Sequence, residues 1–230
     1  MPKVLLASLR RNAVFLLSLL FATVILILAL PPASLLQQAV AHPALLGHAA
    51  YWQALAAPPP HSLDLLAYER PLIAQGQYWR LLGGHIVHLN INHALMNCAG
   101  LLLLAYYFRH DFSPLSWFGL ILVSMLGISA GLWWGLPALV GYAGLSGVLH
   151  ALLYAGLIVT WRELPRANTI VLAVMIGRLF WEHSAAYDPM YLEGVIHGRV
   201  IPAAHFFGAM TGAAWGLLTV FWPRPTQAPA

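Results

Sequence analysis

The sequence predicts an all-α, polytopic membrane protein built as a bundle of six transmembrane helices. Three observations predict it. Only 8% of the residues are charged and 60% are hydrophobic, whereas a soluble domain carries about 25% charged residues. Mean hydropathy is +0.75, with several apolar runs long enough to cross a bilayer. Tryptophans gather near the ends of those runs, as an aromatic belt at the headgroups requires: Trp79, Trp117, Trp133, Trp134, Trp161 and Trp222.

The first run is 13–30. Its basic start resembles a signal peptide, but it exceeds the roughly 7–15 residues of a signal core and Pro31-Pro32 follow at once, so it reads as a retained span. A long outer connection over 31–84 carries Pro58-Pro59-Pro60 and semi-apolar pieces such as LLAYERPLIAQGQYW, which predict interfacial helices. The other spans are expected at 85–107, 116–135, 145–161, 168–182 and 203–222. No repeat or second domain interrupts residues 1–230.

Loop cations set the orientation. Seven of them, Lys3 and Arg224 included, fall on one side; Arg70, Arg80 and Arg199 fall on the other, and Arg178 lies inside span five. The richer side is expected to be cytoplasmic, with both termini inside. The net charge of +4 is scattered, which excludes the basic stripe of a nucleic-acid binder. Cys98 is the single cysteine, so no intrachain disulfide forms.

Span four opens with GYAGLSGVLHALLYAG over residues 141–156. Its length of about 17 residues gives roughly 25 Å against a hydrocarbon thickness near 30 Å. The outer end is therefore expected to lie below the membrane surface, with Ser146 submerged at a helix N-terminus. Irregular backbone at that depth is tolerated only against protein or a water-filled cavity. Gly147, Ala151 and Ala155 recur every four residues in span four, and Gly208, Gly212 and Gly216 do so in span six. Two small-residue faces let backbones approach closely, which would bring Ser146 to His205.

Those two residues suit acyl transfer. A serine needs a base to take its proton, and a helix N-terminus offers N–H donors to an oxyanion. In span two, His93 and Asn97 are four apart and share a face. The bland alternatives are interhelical glue and a polar pathway. A channel or transporter would continue its polar groups inward, yet LLYAGLIVT and AAWGLLTVF are almost wholly apolar. Zinc held by His85, His88, His93, His150 and His205 is the main rival, but there is no H-E-x-x-H and no carboxylate nearby in sequence. No metal or other cofactor is expected.

The motifs then resemble those of the rhomboid intramembrane serine proteases. GLSG around Ser146 is similar to the family's G-x-S-G, with Gly144 and Gly147 as supporting residues. AHFFGAMTG is similar to A-H-x-x-G-x-x-x-G, and Trp79-Arg80, His88, His93 and Asn97 match W-R…H…H-x-x-x-N. The resemblance covers roughly residues 63–220. It implies a rhomboid-like six-helix bundle with Ser146 as nucleophile, His205 as general base, and His93, Asn97 and the Ser146 N–H around the oxyanion. It implies a dyad; no aspartate is expected, and Arg178 and Glu182, four apart on span five, read as a structural pair.

His150 stands where many rhomboids carry an aromatic residue. With GLSGVLH and RLFWEH, it makes the chain most like the rhombosortase branch; of three roles, orienting His205, carrying a proton or packing, orientation is the favoured one. The resemblance implies bacterial inner-membrane location, a site open to the periplasmic side, and partners that are transmembrane substrates with a Gly-Gly, apolar, basic C-terminal tail. A substrate helix would unwind between spans two and five and be cut near small residues. The alternative is an inactive relative that binds transmembrane clients.

Overall fold

The computed structural model describes residues 12–30, 41 and 60–221. The features expected at Lys3, Arg10, Arg11, Trp222 and Arg224, and all but one residue of 31–59, lie outside the described residues. Among those described, the chain is helical apart from two short strands. In order, the elements are α1 (Ala13–Leu28), α2 (Pro60–Leu66), β1 (Tyr68–Glu69), α3 (Arg70–Ala74), α4 (Arg80–Gly83), α5 (Ile91–Tyr107), α6 (Pro114–Gly135), β2 (Gly141–Tyr142), α7 (Ser146–Val159), α8 (Pro165–Glu182), α9 (Glu193–Ile196) and α10 (Pro202–Phe221). By length and composition alone, α6 and α10 are long and apolar enough to cross a bilayer, while α1 and α7 are apolar but shorter.

Local chemistry fixes the helix starts. Asn90 is extended, and its Oδ1 accepts from the His93 N–H at 2.8 Å. That N-cap starts α5 at Ile91 rather than at 85. The 85–90 stretch is instead irregular, with His85 and His88 wholly buried in it. Ser113 caps α6, accepting from the Ser116 N–H at 3.1 Å, and Pro114 follows in the first turn, where its missing N–H is harmless.

The last part of the outer connection is three short helices, α2, α3 and α4, with the strand β1 between the first two. Two arginines tie them down. Arg70 donates from Nε to the Leu139 carbonyl at 2.9 Å, from Nη1 to Trp133 at 3.0 Å, and from Nη2 to Leu132 and Leu136, each at 2.8 Å. It thus caps the C-terminus of α6, where the Leu132 and Leu136 carbonyls also accept the Leu136 and Leu139 N–H groups, and opposes that end's partial negative charge. Arg80, buried, donates to the Ala67 and Asp64 carbonyls at 2.9 and 2.6 Å, around the end of α2. Both cations, counted above as loop charges, are helix-end caps. β1 and β2 pair antiparallel, Tyr68 opposite Tyr142 and Glu69 opposite Gly141. The connection is thereby laced to the segment that leads into α7.

At the centre is α7, packed against α10, α6 and α5, with α1 on the outer flank of α5 and α6. Its small-residue face meets that of α10 backbone to backbone. A Cβ at Gly208 would fall 2.0 Å from the Gly147 carbonyl oxygen, one at Gly212 would fall 2.1 Å from that of Ala151, and one at Gly216 would fall 3.1 Å from that of Ala155. Trp117, expected in the aromatic belt, is instead fully buried, and its Nε1 donates to Ser18 Oγ of α1 at 3.0 Å. Trp134 and Trp79 are exposed.

By contrast, α8 lies loosely on the bundle. Of its 18 residues, only Asn168 and Glu182 are buried. Asn168 donates to the Leu157 carbonyl at 3.0 Å and to Thr160 Oγ1 at 2.9 Å, anchoring one end. Glu182 anchors the other.

Gly212→Leu is expected to lower stability by about 3 kcal/mol or more, because the added carbons meet a backbone carbonyl that has nowhere to go. Gly177→Ala on α8, where a Cβ meets nothing within 4 Å, is expected to leave stability unchanged or raise it by about 0.5–1 kcal/mol. Thermal unfolding of both variants in mild detergent distinguishes the two sites.

Candidate active site

Ser146 is the first residue of α7. The backbone before it turns on Gly144, whose φ of +127° lies where only glycine is unstrained. The Gly144 N–H donates to the Gly84 carbonyl at 2.8 Å, and its own carbonyl accepts from Tyr142 OH at 2.6 Å. Burial pushes the Tyr142 phenol well above its ordinary range, so it stays a neutral donor. A Cβ on Gly144 would collide with the His93 ring, 2.6 Å from Cε1. Gly147 is needed for a second reason: a Cβ there would fall 2.7 Å from the Ala204 carbonyl oxygen, pushing away the residue that precedes His205.

The glycine contacts set the ring of His205 against the serine. Ser146 Oγ lies 3.0 Å from His205 Nε2. His205 is buried, and its ring stacks on that of His150 with centroids 4.2 Å apart and planes 14° from parallel. His150, one turn along α7, donates from Nδ1 to the Ser146 carbonyl at 2.9 Å. It thus fills the stacking place with an imidazole.

The other nitrogen of His205 does not face solvent. Nδ1 lies 2.8 Å from Glu182 Oε2, and Glu182 Oε1 accepts from Arg178 Nε at 2.9 Å. The Glu182 side chain is 0% exposed. This corrects two expectations: a carboxylate does reach the histidine, and the Arg178–Glu182 pair is not a separate strut on α8. The available signal was the ionisable pair itself, since an ionisable residue inside an apolar span is a functional candidate by default.

Ser146, His150, Arg178 and His205 line a cavity of about 240 Å³, together with His93, Asn97, Tyr142, Met96 and Leu192. Asn97 spends one amide hydrogen on the His93 carbonyl at 3.0 Å, and its second has no acceptor among the described residues. His93 Nδ1 and His150 Nε2 are buried with no partner among the described residues. Polar atoms of that kind call for water or a bound ligand. Above the cavity, α9 is held by Asn90, whose Nδ2 donates to the Val195 carbonyl at 2.9 Å.

The histidines do not gather as ligands. His85 donates to Ser129 Oγ at 3.0 Å, and Ser129 donates on to the Leu81 carbonyl. His88 meets His93 edge to face, centroids 4.9 Å apart. Among the described residues, no three of His, Cys, Asp and Glu are grouped to hold a metal ion. A larger hollow of about 800 Å³ lies between α7 and α10 at the far end of the bundle, lined by His110, Asp111, Trp161, Arg162 and Glu163. Burial and the neighbouring Glu163 carboxylate raise the Asp111 pKa.

The described arrangement is a serine hydroxyl, an imidazole within hydrogen-bond reach, and free donors around one cavity. These are the parts of an acyl-transfer site. No curated protein matches the chain. The rhomboid domain matches residues 75–221, a span that includes the serine, the histidine and every helix that lines the cavity. The chain therefore belongs to the rhomboid family, membrane proteins that are generally intramembrane serine proteases.

Proposed function

We propose that this chain is an active intramembrane serine endopeptidase with Ser146 as nucleophile and His205 as its general base. The observation that carries the reading is the 3.0 Å separation of Ser146 Oγ and His205 Nε2 beside a cavity that also receives His93, Asn97 and His150. His205 takes the hydroxyl proton as Oγ attacks the scissile carbonyl, then returns it to the leaving amine. The free amide hydrogen of Asn97, the ring of His93 and the Ser146 N–H stabilise the oxyanion. His150 holds the ring plane of His205 by stacking.

Six spans complete the reading, with both termini cytoplasmic and the cavity opening to the periplasmic side of a bacterial inner membrane. The substrate is a transmembrane segment, unwound at small residues and admitted beside α5 and α8. The exposed middle of α8 supports that side of the bundle as the approach. The rhombosortase-like motifs, His150 above all, favour C-terminal Gly-Gly sorting tails as the substrate class.

Cleavage of a Gly-Gly-tailed single-span protein by the purified chain in lipid vesicles tests the reading. Ser146→Ala and His205→Ala are each expected to lower kcat by at least about 10³-fold and to abolish labelling by a fluorophosphonate. Cleavage that survives Ser146→Ala removes the nucleophile, and a wild-type chain that neither cleaves nor labels is the client-binding alternative. Asn97→Ala is expected to lower kcat about 10²–10³-fold with little change in KM, as loss of an oxyanion donor does. His150→Phe, which keeps a stacking face, is expected to retain most activity. His150→Ala is expected to lose about tenfold, the scale of one aromatic contact. Initial rates on the same substrate separate the pair.

A further inference from the structure

We propose that Glu182 is a positioning residue completing a Ser146–His205–Glu182 relay, with Arg178 fixing the carboxylate. The inference rests on the Ser146–His205 reading above and adds a third member to it.

Three observations carry it. Glu182 Oε2 lies 2.8 Å from the nitrogen of His205 that faces away from the serine. Its other oxygen is held by Arg178 at 2.9 Å, so the carboxylate has one free direction, toward the imidazole. Its side chain is wholly buried, on a helix whose long middle is exposed. A carboxylate in an apolar bundle is expensive unless paired and hydrogen-bonded. An anchor for α8 alone needs no charge, as Asn168 at the other end demonstrates.

The chemistry follows from what each atom can do. An ionised carboxylate only accepts, so Nδ1 of His205 carries the hydrogen. That leaves the lone pair of Nε2 facing the Ser146 hydroxyl, the tautomer a general base requires. Stacking on His150 fixes the ring plane but does not choose between the nitrogens. During attack, the Oγ–C bond forms as the carbonyl π pair moves to oxygen, and the Oγ proton passes to Nε2. Nδ1 keeps its hydrogen, and Glu182 stabilises the resulting imidazolium without being protonated. Collapse breaks the C–N bond and hands the Nε2 proton to the amine. Water then repeats the sequence and restores Ser146.

The test uses the full chain in detergent micelles, with a fluorogenic single-span peptide bearing a Gly-Gly site as substrate. Glu182→Gln is expected to lower kcat by about 10²–10⁴-fold with KM unchanged, and Glu182→Asp to recover part of the loss. Glu163→Gln, at the far hollow, is the neutral control. Proton NMR gives a readout that a mere anchor would not move. A far-downfield ring N–H signal is expected in the wild type and in Ser146→Ala, absent in His205→Ala and shifted upfield in Glu182→Gln. A folded Glu182→Gln variant with wild-type kcat, or a signal indifferent to that change, overturns the proposal. So does equal loss in the Gln and Asp variants that tracks a fall in melting temperature. If the wild type neither cleaves nor labels while the NMR signal responds as expected, the protease reading falls and the Glu182–His205 arrangement stands. If the wild type cleaves while the Glu182 variants match it, the reverse holds.

Discussion

The structure depends on the contact between the backbones of α7 and α10. Where a Cβ would come within 2.0–2.1 Å of a carbonyl oxygen, no residue but glycine allows the helices to lie together. In lipid there is little hydrophobic force to press helices against each other, so close van der Waals contact along small residues supplies the attraction. The same ladder sets the axial register. Gly147 sits under Ala204, and the next residue on α10 is His205. The separation between hydroxyl and imidazole is thus inherited from a packing motif that contains neither.

The second constraint acts on the backbone entering α7. Gly144 bends through a positive φ, accepts from Tyr142 and leaves room for His93. The two-residue β pair and the Arg70 fork hold that backbone from outside. Backbone buried away from water must find its hydrogen-bond partners within the protein. Arg70, with its rigid set of donors, serves four carbonyls at once, two in the last turn of α6 and two in the chain that follows it. The outer connection is in this sense part of the site's scaffold.

Much of this was legible in the sequence, because the responsible forces leave periodic traces. Small residues every fourth position announce close helix contact, and His93 with Asn97 announces a polar face. Glu182 stood out only as an ionisable group in an apolar span; its contact with His205 was not legible. Its partner lies 23 residues away, and its i, i+4 spacing from Arg178 offered a sufficient local explanation. Arg70 and Arg80 were counted only as loop cations because a cation that caps a carbonyl looks the same in sequence as one that meets solvent. Trp117 was assigned to the belt because an aromatic near a span end satisfies belt and core alike; the hydroxyl of Ser18, 99 positions away, decides between them. The early start expected for α5 failed on the cap at Asn90, since apolar content alone does not mark where a helix begins.

The attachment of α8 carries a mechanical implication. One buried polar residue fastens it at each end, and almost nothing holds it between. A helix held in this way can hinge on Asn168 while its far end swings. Because that far end is Glu182, any outward tilt would withdraw the acid from the imidazole. Opening the bundle on that side and keeping the carboxylate on the histidine would then be mutually exclusive.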